Sequence, residues 1–269
     1  MDSVFMQKIQ RAVDATGSLV CVGLDLDPEK MPERFRSFPD GFADFAKAII
    51  EATVDAAAAY KPNAAFYERY GAEGWRLLER IREWIPDDRV AICDAKRGDI
   101  GNTSRMYAQA IFETLGYDAV TLSPYMGRDS LAPFFEFSAH GSFVLCATSN
   151  PGADDFQTPR GLHLDVARKC VEWNTKENIG LVVGATRTDC MTEVRKLTPD
   201  MPFLVPGIGA QGGDLEAVLK AGLNAGGGGM LINASRSILY ASTGDDFAEA
   251  AAAETIRMRD MIRAGSRGL

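Results

Sequence analysis

The sequence predicts an α/β fold, a single closed (β/α)8 barrel of the TIM type running through residues 1–269. Three observations carry this. Eight short apolar or β-branched runs alternate with amphipathic helical patterns from one end of the chain to the other. The length of 269 residues is close to the roughly 250 typical of one such barrel. No linker, low-complexity tract or block of like charge divides the chain into smaller units.

The first segment, MDSVFMQKIQRAVD, reads as an amphipathic helix and lacks the pattern of a secretion signal. The strand runs follow in order: LVCVGL (19–24), AAAAYKP (56–62), VAICD (90–94), DAVTLS (118–123), SFVLCAT (142–148), GLVVGA (180–185), PFLVPG (202–207) and MLIN (230–233). Between them lie FADFAKAIIEATVDA, GWRLLERIREW, TSRMYAQAIFETLG, SLAPFFEFSA, LDVARKCVEWNTKE, MTEVRKL and LEAVLKAG. Each repeats its apolar residues at the helical period. A last helix, DFAEAAAAETIRMRDMIRAG, closes the barrel and ends at Gly265. Such alternation implies parallel strands and right-handed crossovers. An open doubly wound sheet shares the pattern, but eight repeats in a chain of this length favour closure. The second run conflicts with its own chemistry, since AAAAY has helix-forming propensity.

The formal net charge is −8 and the pI about 4.9. A chain this acidic has no electrostatic footprint for nucleic acid or an anionic membrane. An anionic ligand would have to be held by a few well-placed cations and backbone N–H groups. No apolar run approaches the ~20 residues of a spanning helix, so the expected location is cytoplasmic. The five cysteines are odd in number and form no CxxC or Cys/His cluster, which supports neither a disulfide framework nor a metal site. Cys21, Cys93 and Cys146 sit in apolar runs and read as buried small hydrophobes. The two histidines, His140 and His163, lie near no base or nucleophile, which argues against Ser/His/Asp or Cys/His chemistry.

Barrels of this kind carry their chemistry at the C-terminal ends of the strands. Those positions hold Asp25, Lys61, Asp94 with Lys96, Ser149, Gln211 and Arg236. Asp94 and Lys96 are two apart, so on an extended strand both point to one face. Asp99 follows beyond the strand end. Any one of these alone is an ordinary solvated loop charge. Asp, Lys, Asp and Lys converging on one rim hold one another ionised, and such arrays usually serve function. Gly207, Gly209 and Gly212 spell GxGxxG, but at the seventh strand and without the following acidic residue of a dinucleotide site. In a barrel, the loops after the seventh and eighth strands are where a phosphate commonly sits, and Arg236 supplies a bidentate fork. The run Gly226–Gly229 precedes the eighth strand and belongs to the opposite face.

With these residues in view, the chain resembles the orotidine 5'-monophosphate decarboxylases over nearly its whole length. The most specific element is CDAKRGDIGNTS (93–104), which matches the family's DxKxxD signature followed by Ile and Thr. VGLDLDP (22–28), YKPN (60–63), ATSNPGA (147–153), PGIGAQGG and SRSI resemble its other motifs. The Arg-Gly after Lys96 and the YKPN form resemble the longer bacterial branch. Ser235 stands where many relatives have Gly, at a position implied to offer a backbone N–H.

The resemblance implies decarboxylation of orotidine 5'-monophosphate to UMP in de novo pyrimidine biosynthesis, with no cofactor and no metal. Lys96 is implied to be the ammonium beside C6 of the pyrimidine and its proton donor. Asp94 lies near the departing carboxylate, Lys61 holds Asp94 and the ribose, and Asp25 contacts the ribose. Ser149 reads the pyrimidine, while Gln211, Ser235 and Arg236 grip the phosphate. Asp99, Ile100 and Thr103 are implied to reach the site of a partner subunit, giving a homodimer with shared active sites. The segment NPGADDFQTPRG (150–161) reads as a hinged lid. Two alternatives are a Mg2+-dependent sugar-phosphate decarboxylase or aldolase of the same superfamily and a non-catalytic phosphate-binding barrel. Lys61 opposes the first, because it would repel the metal, and the complete Lys/Asp set opposes the second.

Overall fold

The computed structural model describes residues 3–208 and 214–267. All eight apolar runs form strands: β1 (Val20–Gly23), β2 (Ala59–Lys61), β3 (Val90–Arg97), β4 (Ala119–Leu122), β5 (Gly141–Ala147), β6 (Ile179–Val183), β7 (Phe203–Pro206) and β8 (Met230–Ala234). Each pairs in parallel with the next, and β8 closes on β1 through Val20 opposite Ile232 and Cys21 opposite Asn233. The doubly wound alternative is thereby excluded.

The alanine-rich run divides into a connection and a short strand. Only Ala59–Lys61 is strand, while Ala56, Ala57 and Ala58 form a buried connection. Small side chains are needed here because the segment threads between β1 and β3, with the Ala58 N–H donating to Val20 and its carbonyl accepting from Val90. Tertiary pairing overrides local helix propensity at this point.

Alternation along the strands separates two apolar layers. Val20, Val22, Val120 and Val144 face outward into the layer beneath the helices, whereas Cys21, Ala59, Ile92, Phe143 and Leu231 fill the barrel interior. The N-terminal helix, Val4–Thr16, closes the bottom of that interior. Ser3 caps it by accepting from the Met6 N–H, and Gly17 ends it in the left-handed conformation at φ 55°. Its buried residues, Phe5, Ile9, Ala12 and Thr16, recur at helical spacing. The Phe5 ring lies edge-on to Phe143 at 5.9 Å, directly over Gly141, where any Cβ would stand 2.1 Å from the ring. Lys8, on the same helix, pairs with Asp118 at the base of β4.

The remaining long helices fall where the apolar periodicity places them, and the last runs Phe247–Ser266, one residue past Gly265. Four-residue helices at Ala65–Glu68, Ala153–Phe156 and Arg236–Leu239 have no periodic signal, because they are too short to show one. Gly226–Gly229 forms a turn below β8, organised by Asn224 Oδ1 accepting from the Gly226 and Gly228 N–H groups. Cys21, Cys93, Cys146 and Cys170 are buried and Cys190 half-buried, all as free thiols. Among the described residues, no helix is long and apolar enough to cross a membrane.

Candidate active site

A cavity of about 830 Å3 opens at the C-terminal ends of the strands. Lys61 at the end of β2 and Asp94 on β3 reach it from positions that are 4% and 8% exposed. Asp94 is shared between two ammonium groups. Its Oδ2 accepts from Lys61 Nζ at 2.7 Å, and its Oδ1 accepts from Lys96 Nζ at 2.6 Å. A third donor, the Thr121 hydroxyl on β4, reaches the same Oδ1 at 2.8 Å.

These contacts fix the charge states. Burial would favour a neutral Asp94, but Lys61 and Lys96 outweigh it and hold the carboxyl well below the usual carboxylate range. Burial would likewise lower the Lys61 ammonium, and the Asp94 and Asp25 carboxylates outweigh it and hold the group above the ordinary lysine range. Asp25 lies on the loop after β1 and lines the cavity, and its buried Oδ1 has no hydrogen-bond partner. That loop is pinned by Tyr240, whose hydroxyl donates to the Asp25 carbonyl at 2.7 Å and accepts from the Asp27 N–H at 2.8 Å. A buried carboxylate oxygen without a partner is uncommon, and here it belongs to a residue that lines the cavity.

The way Lys96 reaches Asp94 differs from the extended-strand expectation. The register of β3 against β4 shifts between Cys93 and Arg97, and Lys96 sits at φ 49°, in the left-handed region. Side-chain alternation is interrupted there, and a bulge re-aims the lysine.

The other rim residues divide into three groups. Ser149, Ser235 and Arg236 line the cavity with Pro206 and Gly207 at the end of β7. Gly23 and Gly184 make room for the two serines. A Cβ on Gly23 would meet Ser235 Oγ at 1.8 Å, and one on Gly184 would meet Ser149 Oγ at 2.8 Å. Gln211 lies outside the described residues. Asp99, Ile100 and Thr103 do not line this cavity. Asp99 is half-buried and accepts from the Ile100 N–H at 2.7 Å, while Ile100 is 60% exposed and Thr103 is exposed.

Sequence reasoning missed Thr121, Asn63, Asn233 and Gln157, which also line the cavity. Thr121 lies near the end of the DAVTLS run and Asn63 ends YKPN, so polar character toward a strand end was a usable signal for both. Gln157 was visible only as part of the 150–161 segment. Its Oε1 accepts from the Thr148 N–H at 2.8 Å and its carbonyl from the His163 N–H at 3.0 Å, tying the two ends of that segment together. His163 and His140 do not line the cavity. Among the described residues, no three His, Cys, Asp or Glu side chains are grouped to hold a metal ion.

Residues 18–253 match the family model described as "Orotidine 5'-phosphate decarboxylase / HUMPS family". The chain is 48% identical over 266 residues to the orotidine 5'-phosphate decarboxylase of Dehalococcoides mccartyi, covering 96% of this chain and 97% of that one. It is 45% identical to the enzyme of that name from Roseiflexus castenholzii, covering 98% and 99%. The solved structure of Leishmania donovani OMP decarboxylase superposes with a TM-score of 0.84 at 40% identity, covering 99% of both chains. An orotidine 5'-monophosphate decarboxylase from Methanocaldococcus jannaschii, at 18% identity, shares the fold with a TM-score of 0.67 over 90% of this chain and 98% of that one.

Proposed function

The chain belongs to the orotidine 5'-phosphate decarboxylase / HUMPS family, and on that premise we propose how its residues divide the work of a carboxy-lyase that converts orotidine 5'-monophosphate to UMP in pyrimidine biosynthesis. The observation that carries the proposal is the single buried carboxylate of Asp94 held between the ammonium groups of Lys61 and Lys96 inside the cavity.

Loss of CO2 from C6 breaks the C6–carboxyl bond and leaves its electron pair in an in-plane orbital that the ring carbonyls cannot delocalise. Other decarboxylases commonly meet this need with a cofactor sink. Here a fixed cation beside C6 serves instead. Lys96 stabilises the developing carbanion and then transfers an Nζ proton to C6. Because Lys96 is already oriented by Asp94, little reorganisation is needed as charge develops. Lys61, locked ionised, holds Asp94 in place and faces the ribose together with Asp25. Ser149 reads the pyrimidine edge. Arg236, the Ser235 backbone and Gln211 take the phosphate, and binding energy at that remote group is used to orient the reacting end. In this reading residues 1–269 form one catalytic domain that works in the cytoplasm without metal or cofactor.

Lys61 also bears on the sugar-phosphate alternative. Its ammonium occupies the space beside Asp94 that a divalent cation would need. Loss of orotidylate absorbance on adding enzyme, measured with and without a chelator, tests the assignment. Turnover that vanishes with the chelator and returns with Mg2+ would reject it.

The positions of half-buried Asp99 and exposed Ile100 and Thr103, all outside their own chain's cavity, support a homodimer in which each chain completes its partner's site. Ile100, Met106, Tyr107, Tyr125 and Met126, on the segments that follow β3 and β4, are exposed large apolar side chains. Mixing Lys96→Ala dimers with Asp99→Ala dimers gives mixed dimers with one intact site, so random exchange should restore about one quarter of wild-type activity. Confirmed exchange with no recovery would show that Asp99 acts within its own chain.

A further inference from the structure

Lys96 is one of two non-glycine residues found at positive φ among the described residues, and the one that lines the cavity. A residue with a Cβ leaves this region unless its neighbours hold it there, and such strain gathers at functional sites. The torsion φ of Lys96 is set by the orientation of the peptide that joins it to Ala95. Both polar ends of that peptide are held by side chains. The Lys96 N–H donates to Thr121 Oγ1 at 3.0 Å, and the Ala95 carbonyl accepts from Arg97 Nη1 at 2.9 Å.

Each holder is itself fixed. The Thr121 side chain is buried, and its hydroxyl proton goes to Asp94 Oδ1 at 2.8 Å, so the oxygen has a lone pair left for the Lys96 N–H. Arg97 pairs with Glu68, on the short helix that follows β2, and lies 5.3 Å over the Tyr107 ring. The chain beyond is pressed onto β4. Ser123 donates its N–H to the Arg97 carbonyl at 2.8 Å, and a Cβ at Gly98 would stand 2.7 Å from the Ser123 carbonyl oxygen.

We propose that Thr121 and Arg97 form a two-sided clamp on the Ala95–Lys96 peptide, and that this clamp aims the Lys96 ammonium at the reacting carbon. Both are positioning residues: Arg97 acts through Lys96, and Thr121 acts through Lys96 and through Asp94, whose Oδ1 accepts from its hydroxyl. The inference rests on the reading of Lys96 as the proton donor. An unclamped peptide turns, Lys96 relaxes to negative φ, and its ammonium leaves Asp94.

Thr121→Val keeps the shape of the side chain and removes the hydroxyl, whereas Thr121→Ser keeps the hydroxyl. Arg97→Met keeps a long apolar stem over Tyr107 and removes the guanidinium. Displacing a catalytic group by about 1 Å costs up to about 100-fold, so Thr121→Val and Arg97→Met should each lower kcat by about 10- to 100-fold. KM for orotidylate should stay within about threefold, because the phosphate and ribose contacts are untouched, and Thr121→Ser should recover most of the loss. A crystal structure of Thr121→Val should place Lys96 at negative φ.

Lys96→Ala is measured alongside. If it stays active, the reading of Lys96 fails. If it is inactive while Thr121→Val and Arg97→Met keep wild-type kcat, the clamp alone is overturned. A loss that Thr121→Ser shares in full would also overturn it, since that loss would follow packing and not the hydroxyl. Should Thr121→Val not fold, Arg97→Met decides by the same criterion.

Discussion

At its N-terminal end the barrel is filled by Phe5, Ile9, Phe143 and their aliphatic neighbours, whereas at its C-terminal end the same eight strands present Lys61, Asp94, Lys96 and Thr121 to an open cavity. The lower end obeys every local rule: a capped helix, apolar residues at helical spacing, and an aromatic pair in edge contact. The upper end breaks several. It buries charge, leaves Asp25 Oδ1 without a partner, and holds a lysine at φ 49°. Rules are broken where chemistry is done, and the packed end supplies the stability that tolerates it.

The largest expected effect lies at the upper end. Lys96→Ala should lower kcat by on the order of 1,000-fold or more, in line with the loss of a preorganised charge, while the melting temperature changes little. Retention of a tenth of wild-type kcat would break the comparison, because the charged rim would then not be the working end.

Phe5→Ala tests the other side. It should destabilise the protein by about 3–5 kcal/mol, as for other large aromatic truncations in a core, without changing kcat on folded enzyme. Chemical denaturation and kinetics on the same preparation check both halves, and a kcat that fell with stability would show that the two ends are not independent.

Arg236→Ala should raise the barrier in kcat/KM for the nucleotide by about 2–4 kcal/mol, and should hurt the phosphate-free nucleoside far less. Equal losses for both substrates would mean that Arg236 acts through folding.

The smallest effect concerns pH. Asp94 is held below its ordinary value of 3.8, so its contribution to stability is complete above that pH and is lost as pH falls through the depressed value. Lys61 is held above its ordinary value of 10.5, so its contribution is complete below that pH and is lost as pH rises through the elevated value. The difference in unfolding free energy between wild type and Asp94→Asn should therefore be flat from about pH 5 to 9 and shrink in stronger acid and in stronger base. A slope near neutrality would show that the pair does not hold its charges as the geometry implies.

Much of this was legible in the chain alone, for reasons that differ by residue. Runs such as VAICD and GLVVGA declare buried parallel strands because β-branched side chains have few other places to go. DAKRGD declares a site because four charges in six residues have no packing use. AAAAYKP was ambiguous because alanine favours helix, so only pairing between β1 and β3 made it strand and connection.

The sequence by itself determined the fold class, the order of the strands and the identity of the charged rim, since periodicity and charge are local and additive. It did not determine how Lys96 meets Asp94. Period-two alternation pointed to the right pair for an incomplete reason, since a bulge in β3 does the aiming. Thr121 acquires its place only when β4 lies beside β3, 25 residues from the backbone N–H it accepts. Contacts of that kind depend on register between strands, and register exists only once the barrel has closed.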